Sequence, residues 1–215
     1  GYGATHTEEL VGQAIKGYDR NDLFITTKVS PEHLRYDDVL RSCAGSLRRL
    51  GVDYVDLYLI HWPNDAIPLD DTFRALNQLV REGKIKHIGV SNFNVPLMEQ
   101  SVRLSETPIL TNQVRYNLLH REPVNNGVLA YCQEHDILLT AYSPLKDGVM
   151  RHPQVVEIAR RHGVSPAQVG LRWLMDQPRV ITIPKTSDVT HARDNFASLT
   201  LELSAEDTAK LDAIG

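Results

Sequence analysis

Short β-rich apolar runs alternate with amphipathic helical patterns from one end of this chain to the other, and that alternation constrains the fold more than any other feature. The runs are FITTKV (24–29), VDLYLIHW (55–62), HIGVSN (87–92), ILTNQV (109–114), ILLTAYS (137–143) and VITIP (180–184). Their nearly continuous apolar character suits strands buried on both faces. Helical periodicity predicts helices over 7–16, 36–50, 69–82, 96–105 and 122–135, with Gly51 and Gly83 as stops. Glycine just past the last periodic residue ends a helix because it alone adopts the left-handed conformation at little cost. Two more helices, 153–162 and 166–176, separate the fifth and sixth runs, and 187–198 and 205–214 follow the last.

Strict strand–helix alternation requires parallel strands joined by crossover helices, either as an open doubly wound sheet or as a closed barrel. A doubly wound dinucleotide domain carries a glycine-rich turn after its first strand and an acidic residue about 20 positions on. The sequence has no such fingerprint. Polar residues instead mark the ends of nearly every run: Lys28, His61, Asn92, Gln113, Tyr142 and Lys185. A barrel builds its site from the C-terminal ends of all its strands, so this distribution predicts an α/β fold of the TIM (β/α)8 type, with residues 1–215 in one domain.

Composition narrows the partners. The formal net charge is −4 and the basic residues are scattered, which excludes the electrostatic footprint of a nucleic-acid or anionic-membrane binder. No apolar run reaches the roughly 18 residues of a membrane span. Cys43 and Cys132 fall inside helical patterns without metal-type or redox spacing, so they read as core thiols of a reduced, cytoplasmic compartment. No metal site is expected.

The motifs GYG, FITTKV, DYVDLYLIHWP, GKIKHIGVSNF, NQVRYN, AYSPL and IPKTSDVTHARDNF occur in one order. That series resembles the aldo-keto reductase family, of prokaryotic type, over essentially the whole chain. The family uses a tetrad of Asp, Tyr, Lys and His, and the matching residues are Tyr2, Lys28 and His61. The tetrad aspartate belongs to a DTA motif five residues before the tyrosine, outside this sequence. The resemblance therefore implies an N-terminally truncated barrel, with its first two strands missing and its remaining edges exposed. It also implies an oxidoreductase that transfers a hydride from NADPH to the carbonyl of an aldehyde, ketone or keto acid.

Carbonyl reduction needs a hydride at carbon and a proton at oxygen, where charge develops in the transition state, so a general acid should sit beside a cation. A free tyrosine titrates near 10, and a neighbouring ammonium lowers that value. By resemblance Tyr2 is the proton donor, Lys28 the cation, and His61 the residue that orients the substrate oxygen. Ser91, Asn92 and Gln113 match the residues that hold the nicotinamide carboxamide, whose two-way hydrogen bonding suits amide side chains. Tyr142 matches the aromatic that stacks on the nicotinamide ring, with Ser143 and Leu145 along the pyrophosphate. Lys185 and Thr186 resemble the pair that binds the adenosine 2′-phosphate, and Asn195 the adenine contact. Where many relatives have an arginine six residues after that lysine, this chain has His191, so its preference for NADPH over NADH is expected to be modest. Trp62 is a candidate substrate wall, and the short loop WPNDAIPLDD suggests an open site for small carbonyl compounds; at full length a monomer is expected. The alternative is a non-catalytic nucleotide-binding barrel or an inactive fragment.

Overall fold

The computed structural model describes residues 6–214, so Tyr2 lies outside the described residues. The chain divides after Asn112 into two compact units. Six strands and ten α-helices occur among the described residues.

The first unit holds strands β1 (Thr26–Val29), β2 (Val55–Ile60), β3 (Ile85–Ser91) and the first half of β4 (Ile109–Arg115), side by side in that order. Helices α1 (His6–Ala14), α2 (Tyr36–Leu50), α3 (Leu69–Arg81) and α4 (Val95–Leu104) alternate with them. Pairing is parallel, with Thr26 opposite Leu57, Val29 opposite Ile60, and Ile60 opposite Val90. Every residue of β2 is buried, as its nearly continuous apolar run predicts. β1 departs from that expectation: Thr26 is exposed and only Val29 is buried. Among the described residues of this unit β1 pairs with β2 alone, and one flank of a strand without a neighbour is open to water.

The two glycine stops hold. Gly51 closes α2 at φ 69°, its N–H shared between the carbonyls of Leu47 and Arg48. Gly83 follows α3 at φ 68°. Gly12 serves a different purpose, since a Cβ there would lie 2.6 Å from the Leu50 carbonyl oxygen, so it lets α1 and α2 touch backbone to backbone. At the start of β2, Asp56 is 4% exposed and accepts hydrogen bonds from the Ile25 N–H at 2.8 Å and from Arg20 at 2.6 Å. Lys86 approaches its other oxygen at 3.1 Å. These contacts hold its carboxyl below the ordinary carboxylate range although burial opposes them.

The second unit holds the rest of β4, then β5 (Leu138–Tyr142) and β6 (Val180–Thr182), with Leu139 opposite Val180 in a parallel pair. Its helices are α5 (Glu122–Asn125), α6 (Val128–Glu134), α7 (Pro153–His162), α8 (Pro166–Met175), α9 (Val189–Ala197) and α10 (Ala205–Asp212). The single helix predicted over 122–135 is two pieces, because Gly127 adopts φ 80° and breaks the helical path. The helix predicted from Ser187 begins at Val189, where the Asp188 carboxylate accepts the N–H groups of Thr190 at 2.7 Å and His191 at 3.0 Å. Capping of this kind satisfies donors that the first turn leaves orphaned.

Cys43 and Cys132 are buried, and burial pushes their thiols up to about 11 and about 12, so neither is a ready nucleophile. Among the described residues no helix is long and apolar enough to cross a membrane.

Candidate active site

β1 alternates its side chains between two faces, and that alternation aims the expected lysine. Val29 is 1% exposed, and the Thr27 hydroxyl donates to Glu8 of α1 at 2.5 Å, so this pair faces the helices. Lys28 therefore stands on the opposite face, half-buried, and burial lowers its pKa below the ordinary lysine value. His61 follows the last residue of β2, its N–H bonded to the Val29 carbonyl at 3.0 Å. The imidazole is half-buried, and its pKa is pulled down first by burial and then by the charge of Lys28. Lys28 and His61 line one cavity of about 420 Å3. Its remaining wall comes mostly from α1 and α2, with Glu8, Val11, Ser42, Gly45 and Ser46 among its residues, so it lies between β1 and those helices and does not mark the face on which Lys28 stands.

Ser91 ends β3 and is 1% exposed; Asn92 comes next at φ 62°. Left-handed backbone disfavours most L side chains, and asparagine tolerates it better than most. The Asn92 amide nitrogen donates to the His61 carbonyl at 3.1 Å and to the Ser91 hydroxyl at 3.0 Å. The ends of β2 and β3 are thus tied at the two positions that the sequence singles out. Trp62 is 47% exposed, a wetted ring rather than a core residue. Asn64 pins the loop that carries it, donating to the Pro31 carbonyl at 2.8 Å.

In the second unit Gln113 is 5% exposed within β4, and Tyr142, half-buried, ends β5. The Tyr116 N–H reaches the Tyr142 carbonyl at 3.4 Å. Ser143 repeats what Asn92 does after β3, leaving its strand at φ 55°. Leu145 packs toward Gly170 of α8, where a Cβ would lie 3.4 Å from a Leu145 methyl. Lys185 and His191 are exposed, Thr186 and Asn195 half-buried. The Thr186 hydroxyl accepts the Asp188 N–H at 3.1 Å, which draws the IPKTS segment to the start of α9.

Sequence reasoning missed Asn112, Asn117 and Asp147. Asn112 is fully buried and grips the Phe93 carbonyl at 2.9 Å, fixing the turn after Asn92. Asn112 and Asn117 sit in or beside a motif already marked, NQVRYN, but their neighbours in space come from distant turns that spacing does not reveal.

A profile of the Aldo/keto reductase family matches residues 1–215. The glyoxal reductase of Bacillus subtilis strain 168 is 42% identical over 210 residues, covering 96% of this chain and 74% of that protein. The crystal structure of the thermostable aldo-keto reductase Tm1743 with the inhibitor epalrestat superposes with a TM-score of 0.97 at 47% identity, over 100% of this chain and 79% of that one. An aldo-keto reductase from Klebsiella pneumoniae in complex with NADPH gives a TM-score of 0.90 at 38% identity, over 99% of this chain and 76% of its own. With six parallel strands of a (β/α)8 barrel among its described residues, the chain belongs to the aldo/keto reductase family of oxidoreductases.

Proposed function

We propose that this protein reduces small aldehydes and ketones, including dicarbonyls of the glyoxal type, to alcohols at the expense of NADPH. The observation that carries the reading is the pairing of Lys28 with His61: half-buried residues at the ends of neighbouring strands, each with its pKa lowered, that of His61 in part by the charge of Lys28. The glyoxal reductase relative supports the choice of substrate class.

NADPH, when bound, supplies the hydride. Tyr2 gives the proton to the carbonyl oxygen, Lys28 lowers the cost of the phenolate left behind, and His61 holds the oxygen in line. His61 is neutral at pH 7 because its pKa lies below the ordinary value, so it acts as a neutral hydrogen-bond donor. The residues present fit a dinucleotide. Gln113, buried in β4, is a two-way amide suited to the carboxamide; Tyr142 offers a half-buried ring, and Lys185 with Thr186 a cation and a hydroxyl for the 2′-phosphate. Ser91 and Asn92 are further candidates for the carboxamide, Ser143 and Leu145 for the pyrophosphate, and His191 and Asn195 for the adenosine end.

The test is loss of NADPH absorbance on addition of glyoxal, methylglyoxal and simple aldehydes to the protein expressed from its complete gene. Turnover that Tyr2→Phe abolishes without loss of NADPH binding is the expected result. No NADPH oxidation with any of these substrates overturns the reading.

A further inference from the structure

Asn126–Gly127 is the only asparagine–glycine pair in the sequence, and it forms the joint between α5 and α6. Asn126 is exposed, while Val128, Leu129 and Cys132 just beyond it are buried. Gly127 sits at φ 80°, a conformation that glycine takes at no steric cost. The absence of a Cβ has a second effect, because it leaves the Gly127 nitrogen less shielded than that of any other residue type.

The hydrogen bonds at this joint fold the side-chain amide over that nitrogen. Asn126 Oδ1 accepts the Val128 N–H at 3.1 Å. The ring closed by this bond runs from Oδ1 through Cγ, back along the side chain and forward through Gly127, so Cγ and the Gly127 nitrogen share one tight turn. The Gly127 N–H is held by the Val124 carbonyl at 3.3 Å, beyond the usual span of an amide hydrogen bond. The Val128 N–H, by contrast, points at the oxygen on which charge develops when Cγ is attacked, as an oxyanion donor does. Two other asparagines make the same turn across a bulkier neighbour. Asn64 accepts the Ala66 N–H at 3.0 Å across Asp65, and Asn117 accepts the Leu119 N–H at 2.9 Å across Leu118.

We propose that Asn126 is a self-modification site, which deamidates through a cyclic imide formed with Gly127. Hydroxide removes the Gly127 amide proton, the nitrogen bonds to Cγ, the bond from Cγ to Nδ2 breaks, and ammonia leaves with a proton taken from water. Water then opens the imide. Attack at Cγ restores the ordinary main chain with aspartate at 126, and attack at the main-chain carbonyl carbon gives isoaspartate, whose link to Gly127 runs through the side chain. Nothing is oxidised or reduced. Aspartate at 126 keeps an acceptor for the Val128 N–H and leaves the joint in place. Isoaspartate adds a carbon to the main chain where α6 begins, and α6 depends on that register, since the Gly127 carbonyl accepts the Tyr131 N–H at 2.9 Å. The isoaspartyl form therefore loosens α6 and uncovers Cys132.

The experiment holds protein from the complete gene at mildly alkaline pH under native conditions and follows each asparagine by peptide mass spectrometry, with chromatography separating isoaspartate from aspartate. Amide should be lost at residue 126 about tenfold faster than at Asn64 or Asn117, and faster still as pH rises. Asn126→Gln, whose longer side chain needs a larger ring, should stay unmodified at 126. Cys132 should become reactive toward a thiol reagent in step with isoaspartate, while Cys43 in the other unit stays closed; in the aged Asn126→Gln variant both should stay closed. Retention of the Asn126 amide long after a synthetic peptide of residues 121–130 has converted overturns the proposal, as does conversion of all three asparagines at one rate. Isoaspartate that accumulates with Cys132 still closed overturns the loosening of α6. None of these readouts involves NADPH or carbonyl turnover, so the outcome stands apart from the functional reading.

Discussion

His61 lies within the field of Lys28, and the sign of that effect can be tested at one residue. Burial is the larger cause of its lowered pKa and the lysine charge the second. Both disfavour the imidazolium, so the neutral ring persists to lower pH than in an isolated histidine. In linkage terms the unfolded chain binds this proton first as the pH drops below about 6.5, so stability contributed by neutral His61 is intact above that value. It is lost as pH falls through the lower folded value. An NMR titration should give a His61 midpoint below that of an isolated histidine, and Lys28→Met should raise it only part of the way, because burial remains. The same substitution should remove nearly all carbonyl reduction. A midpoint that Lys28→Met leaves unmoved would mean the two groups do not sense each other.

Between elements the decisive contacts are small and steric at one end of the chain, and ionic at the other. Gly89 in β3 has no room for a side chain: a Cβ would sit 2.4 Å from a Leu59 methyl of β2 and 3.1 Å from the Thr111 carbonyl oxygen of β4. Gly89→Ala should destabilise by about 1–3 kcal/mol through overpacking, seen as a lower urea midpoint at unchanged slope. At the other end Asp207 of α10 is 1% exposed and accepts from Arg161 of α7 at 2.5 Å and His162 at 2.9 Å, besides capping its own helix with Ser204. These contacts outweigh burial and depress its carboxyl far below the ordinary range. A depressed carboxylate stabilises above its unfolded value near 3.9 and loses that contribution as pH falls toward the folded value. Asp207→Asn should therefore cost roughly 1.5–3 kcal/mol at pH 7, the worth of hydrogen bonds to a charged group, and the difference should shrink in strong acid. Equal thermal midpoints for the two proteins at pH 7 would count against the ion cluster. Neither site was legible beforehand. Helix and strand positions were, because periodicity and the stops Gly51 and Gly83 are local signals. By contrast Gly127 lies inside a pattern that reads as one helix, and the partners of Asp207, Arg161 and His162, come from a helix far along the chain that spacing does not reveal.

For the molecule as a whole, the order of motifs made the family legible, and alternation made the parallel strands legible, but the strength of cofactor discrimination needed exposure. Lys185 and His191 are both exposed, and Thr186 is half-buried. A cation–phosphate contact open to water is screened and contributes less than a buried one, roughly 0.2–1 kcal/mol for an exposed pair. Hydrogen bonding from Thr186 adds about 0.5–1.5 kcal/mol. The expected preference for NADPH over NADH is then about tenfold, near the low end for a charge-assisted phosphate contact, because tenfold corresponds to about 1.4 kcal/mol. Ligand bound to the native state alone stabilises the whole protein by mass action, so at equal saturating concentrations this difference appears directly in the unfolding free energy. One kcal/mol moves the midpoint of a chain of this size by about 2–4 °C. Differential scanning of the protein from its complete gene should therefore place the NADPH midpoint about 3–6 °C above the NADH midpoint. Lys185→Ala should close part of that gap, the rest resting on Thr186, while leaving the NADH midpoint where it was. Equal midpoints for the two cofactors in the unmutated protein would show that the 2′-phosphate gains nothing from this end of the chain, and that Lys185 is a solvated surface cation.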